Sequence, residues 1–197
     1  MWMDVRLETL TYKDEVFHVA VGELTNVNLL NKEEIVSLSS EQIEGIMAVQ
    51  LLDSTLVAGA VHLLSAAQNA LNAWKGKYAI SRNLAVEILL YASGQHQIGV
   101  ALDKLGVNDE TTSVAAVVLA TDESILKSHV DYLIDEIGPI VQQPFAPTEE
   151  RMQLIMMHFG INDAEITAVS SSESLEARYQ ALSGCVISRV SMVALEA

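Results

Sequence analysis

The 197 residues carry 11 Lys or Arg against 26 Asp or Glu, a net charge of −15, and 50% of them are hydrophobic but only 5% aromatic. That balance excludes a disordered chain and predicts one sizeable core of Leu, Val, Ile, Ala and Met. The single Cys185 excludes an intrachain disulfide framework or a cysteine metal cluster and fits a reducing, cytoplasmic setting.

The N-terminus, Met1-Trp2-Met3-Asp4, continues into alternating polar residues, so no signal peptide is expected. Val5 and Leu7, then Phe17, Val19 and Val21, alternate around Tyr12-Lys13-Asp14-Glu15 and predict a hairpin. An acidic connection runs from Asn26 to about Gln42, and Gly45 to Leu52 reads as a short buried strand. Asp53-Ser54 reads as an N-cap. Leu56, Ala60, Leu63, Leu64, Ala67 and Leu71 form the stripe behind it, closed by Lys75-Gly76-Lys77. Residues 54–74 hold no charge, but His62, Gln68, Asn69 and Asn72 make a buried helix the expectation rather than a membrane span.

Two short helices follow, from about Asn83 to Ala92 and from His96 to Leu105, closed by Gly106. Ser113 to Ala120 is a β-branched run that reads as a central strand. Thr121-Asp122-Glu123 caps the clearest helix, whose stripe of Ile125, Leu126, His129, Val130, Leu133, Ile134 and Ile137 stops at Gly138-Pro139. After Pro144 and Pro147, Thr148-Glu149-Glu150 opens a helix bearing Met152, Ile155, Met156 and Phe159. A Ser/Asp-rich link then leads to the stripe Leu175, Tyr179, Leu182 and Val186. Val190 to Leu195 either continues that helix or returns as a strand, the strand being favoured. The sum is an α/β chain: one domain over residues 1–197, with a small mixed β-sheet packed by several α-helices.

Catalytic grammar is missing. His18, His62, His96, His129 and His158 show no HExxH spacing, Gly76-Lys77 lacks the surroundings of a P-loop, and neither GxGxxG nor GxSxG occurs. His129 reads as a core histidine, Cys185 as a small hydrophobe among Leu182, Val186 and Ile187, and Glu149-Glu150 as first-turn acid. No enzyme, metal or cofactor is expected from these residues.

Charge is unevenly spread. Residues 54–104 hold Lys75, Lys77, Arg82 and Lys104 against Glu87 and Asp103, a net of +2, so the remainder carries −17. Within this stretch Ser93-Gly94 separates two helices, and Gln95, His96 and Gln97 can donate and accept hydrogen bonds, which suits unpaired bases. Lys75, Lys77 and Arg82 could meet phosphates. The same residues also read as an ordinary polar turn with a solvated basic end.

The block from Lys75 to Gly106, KGKYAISRNLAVEILLYASGQHQIGVALDKLG, resembles the KEOPS/EKC small accessory subunit (TPRKB, or PRPK-binding-protein, family). Its parts are the basic end of a long uncharged helix, Leu84-Ala-Val-Glu87-Ile-Leu-Leu, and Ala92-Ser93-Gly94-Gln95-His96-Gln97-Ile98. His96 stands where archaeal members often carry Arg, and Leu182-Ser-Gly-Cys-Val186-Ile-Ser-Arg189 fits the family's order. The resemblance implies a non-catalytic subunit that binds the PRPK-type kinase of KEOPS and recruits the 3′-CCA end of tRNA for threonylcarbamoyladenosine modification. Its tRNA-binding residues would be Lys75, Lys77, Arg82, Gly94, Gln95, His96 and Gln97. Kinase contacts are expected on Leu182, Val186 and Arg189, with Met152, Met156 and Phe159 as a second stripe. A protein-interaction module that regulates the kinase without touching RNA is the alternative.

Overall fold

A computed structural model describes residues 4–195, and the N-terminal Met1-Trp2-Met3 and the last two residues of the expected 1–197 domain lie outside them. Four strands, β1 (Arg6–Tyr12), β2 (Glu15–Thr25), β3 (Ile46–Asp53) and β4 (Ser113–Ala120), pair in the order β1-β2-β4-β3. The α/β domain with a small helix-covered sheet holds, but every pairing is antiparallel, so the sheet is not mixed. The misreading has a physical origin. Val117 and Leu119 of β4 enter the core on one face while Val114, Ala116 and Val118 enter it on the other. A strand covered by helices on both faces reads as a continuous apolar run whichever way its neighbours point.

Eight helices were found among the described residues: α1 (Lys32–Ser40), α2 (Ala60–Gly76), α3 (Leu84–Ser93), α4 (Ile98–Leu105), α5 (Glu123–Ile137), α6 (Glu149–Phe159), α7 (Asp163–Val169) and α8 (Leu175–Met192). α1 and α5 cover one face of the sheet through Ile35, Leu38, Leu126, Val130 and Leu133. α2, α3, α6 and α8 fill the other, where Leu63, Ala67, Leu71, Ile88, Leu90, Ile155, Leu182 and Val186 converge. No helix among the described residues is long and apolar enough to cross a membrane.

Four elements differ from expectation. α1 lies inside the stretch read as a connection, started by an Asn31–Glu34 capping box. α7, inside the supposed link, starts on the equivalent box of Asn162 and Glu165. Asp53 caps a single 3₁₀ turn, Ser54–Leu56, and α2 begins only at Ala60, after Gly59 at φ 98°. The C-terminal stretch is not a strand: α8 runs to Met192 and a 3₁₀ turn follows. Val186, Val190 and Val193, all buried, keep helical spacing.

Candidate functional site

α3 organises the sequence-derived site, because its two ends hold the two halves of the expected RNA-binding set. At its start Asn83 accepts hydrogen bonds from the N–H groups of Ala85 (2.8 Å) and Val86 (3.2 Å). The preceding loop is fixed by Glu87, a fully buried carboxylate that accepts from Ile80 N (3.1 Å) and Ser81 N (2.7 Å). That loop carries exposed Arg82, while Lys77 closes α2 in a left-handed conformation, φ 63°. Lys75 is committed elsewhere: its Nζ lies 2.6 Å from Glu15 and 4.7 Å above the Phe17 ring.

At the other end Gly94 terminates α3 at φ 65°, its N–H directed to the carbonyls of Leu90 and Tyr91. A Cβ there would sit 3.4 Å from the Phe159 ring, so glycine serves both the turn and the close approach. His158 donates from Nε2 to Ser93 O (3.1 Å), tying the end of α6 to the end of α3. Beneath, His62 accepts from Ala58 N at Nδ1 (3.1 Å) and donates from Nε2 to Ala92 O (2.8 Å). Burial drives the His62 pKa down to about 4. Burial also lowers that of His158.

A pocket of about 160 Å3 opens at this junction, lined by Gly94, Gln95 and His96 of the turn, His158 and Phe159 of α6, and Arg189 of α8. Gln97 follows as the N-cap of α4 and makes no side-chain cap bond, so its side chain satisfies none of the first-turn N–H groups. Arg189 Nη2 meets Glu165 Oε2 at 2.6 Å, and both side chains stay about one-third exposed.

The structure therefore brings Gly94, Gln95 and His96 together with Arg189, a residue expected at a different interface. Lys75, Lys77 and Arg82 lie at the opposite end of the ten-residue α3, about 15 Å away along its axis. Leu182 and Val186 are corrected: both are fully buried in the core, so their side chains offer no surface to a kinase. Met152 and Phe159 of the second stripe are buried as well, and Met156 is half-buried against the same core. An apolar stripe cannot reveal from spacing alone whether it meets the chain's own core or a partner. The contribution of His158 to the pocket was missed, since only tertiary packing joins His158 to Ser93, 65 residues away. Both helix ends did carry the signal of a terminal glycine, Gly94 and Gly160. No group of three or more metal-ligating side chains occurs among the described residues.

Over residues 24–194 the chain matches the family described as kinase binding protein CGI-121, and it belongs to that family. The resemblance first visible in the Lys75–Gly106 block thus extends over most of the chain. A comparison with curated proteins finds no match.

Proposed function

We propose that the chain is the non-catalytic accessory subunit of a KEOPS-type complex in the cytoplasm. It binds a PRPK-type kinase and holds the 3′-CCA end of tRNA for threonylcarbamoyladenosine modification. Family membership supports the kinase-binding part. The observation that carries the RNA part is the junction at the end of α3. There a glycine-shaped opening, the amide of Gln95, two imidazoles and the Arg189 guanidinium surround one pocket. Those groups can hydrogen-bond base edges, and the half-buried His158 ring, backed by Phe159, offers a surface for stacking. Gln97 follows the pocket residue His96 as the N-cap of α4, and a helix N-terminus favours a phosphate. Lys77 and Arg82, one helix length away, suit acceptor-stem phosphates, with Lys75 contributing if it leaves Glu15.

One observation favours a protein-interaction module that regulates the kinase without RNA. Net charge is −15, and Lys75 and Arg189 are already paired with carboxylates. Arg189 remains the kinase contact in that case, since Leu182 and Val186 are inside.

Reconstitution separates the two. The chain is titrated into a PRPK-type kinase with and without tRNA, and complexes are resolved by size. A ternary complex that assembles only when the chain is present is expected. A chain–kinase pair that excludes tRNA would leave the protein-module alternative.

A further inference from the structure

β3 is an edge strand, since β4 occupies one side of it and, among the described residues, no strand the other. Its C-terminal part is covered at Leu52, which bridges to Gly106. Its N-terminal part, Ile46 to Val49, instead forms the floor of an open groove of about 980 Å3. α1 walls the groove on one side through Val36, and Trp74 with Arg82 walls it on the other. Val36, Ile43 and Trp74 are all exposed. Among the described residues, no backbone hydrogen bond joins Met47, Ala48 or Val49 to any element beyond β4. A recessed row of unpaired backbone groups is a template for one further strand.

The walls determine the chemistry of that strand. Ile46 and Val49 face the α1–α5 side of the sheet, and Met47 and Ala48 the α2–α3 side, the bulge between Ile46 and Ala48 absorbing the extra residue. A strand added beside β3 would send its side chains alternately to these two sides. On the α1–α5 side they pass the carboxylates of Glu41 and Glu44. There the groove adjoins a second cavity, about 360 Å3, which shares Glu41, Ile43 and Glu44 and is closed by Tyr132, whose hydroxyl donates to Glu41 (3.0 Å). On the α2–α3 side they pass the Trp74 ring and Arg82, where an apolar residue fits and a second cation is repelled.

We propose that the open edge of β3 binds an extended segment of a protein partner in which basic and apolar side chains alternate, the basic ones seated against Glu41 and Glu44. This surface lies at the start of α3, away from the pocket at its other end; it shares Arg82 with the proposed phosphate contacts but holds whether or not RNA binds.

The test uses the full chain, ¹⁵N-labelled, with an acetylated and amidated octapeptide of alternating Lys and Val as probe. Amide shifts and slowed exchange centred on Ile46–Gln50, together with a shift of the Trp74 indole, are expected. An alternating Glu–Val peptide should bind at least about tenfold more weakly, as should a Glu41→Lys/Glu44→Lys chain that keeps its unfolding midpoint. A Lys–Val peptide N-methylated along its pairing edge should not bind. Equal binding of the N-methylated peptide, shifts confined to other elements, or no shifts at millimolar peptide would each overturn the proposal. So would sedimentation showing a dimer that protects β3 without peptide, which would assign the edge to a second copy.

Discussion

Arg151 Nη2 on α6 lies 2.9 Å from Glu23 Oε1 on β2, and the carboxylate of this pair is almost wholly buried. Glu23 also accepts from Ser113 Oγ (2.9 Å) and from the Phe145 N–H, so one side chain ties β4, the 138–148 loop and α6 to the sheet. Burial pushes its pKa up, but the Phe145 N–H, the Ser54 hydroxyl and Arg151 outweigh that and hold it below the ordinary glutamate value.

Removing Arg151 while keeping Glu23 should therefore be costly. Arg151→Met leaves a buried carboxylate without its cation, for a loss of about 3 kcal/mol. Glu23→Gln, which removes the charge but keeps an acceptor, should cost less. Urea midpoints of the two variants check the order; a wild-type midpoint for Arg151→Met would mean that the pair is structurally idle.

Acid should destabilise the fold through its histidines. The His62 pKa is lowered to about 4 by burial, and burial lowers those of His129 and His158 too. The unfolded chain therefore takes up these protons first. The His62 contribution is complete above about pH 6.5 and is lost as pH falls toward 4, a total of about 3 kcal/mol. Unfolding midpoints across that window should fall, and His62→Gln should flatten the slope. An unaltered slope in the variant would assign the effect to other groups.

Glu87 should order the loop that carries Arg82. In Glu87→Gln an amide N–H2 would confront the N–H of Ile80 or Ser81, costing about 1–3 kcal/mol. Hydrogen exchange at Ile80 and Ser81 should accelerate ahead of the α3 interior. Unchanged protection at both amides would contradict a holding role for this carboxylate.

The swap of Arg189 and Glu165 separates structure from recognition. Arg189→Glu places two carboxylates at the α7–α8 contact and should lower stability slightly. Adding Glu165→Arg should restore that stability but not RNA binding, because the guanidinium then stands on α7. Recovery of both properties together would make Arg189 purely structural.

Much of the fold was legible because local signals agreed with tertiary demands. The Asp122 cap and the stripe ending at Gly138 gave α5, and the apolar run of residues 113–120 gave β4 with the observed bounds. Strand direction was not legible, since burial on both faces of β4 erases the alternation that marks an antiparallel strand. α1 was missed although Asn31 and Glu34 spell a capping box, because only Ile35 and Leu38 are buried on it. Within the site, the Gly94–Gln97 turn was visible as a break between helices. The convergence of His158 and Arg189 on it was not, because it depends on how α6 and α8 cross α3. Leu182 and Val186 misled for a related reason: a helix face that packs on the chain's own core has the same spacing as one that waits for a partner.

Fluorescence anisotropy with intact tRNA and tRNA lacking its terminal CCA, at one fixed salt concentration, tests the central claim most directly. Loss of stacked and hydrogen-bonded bases from the pocket at the end of α3 should weaken binding at least about tenfold. His96→Arg should retain the preference for intact tRNA, since a guanidinium there still donates to the pocket. Equal affinity for the two RNAs would contradict recognition of the tRNA tail at this pocket.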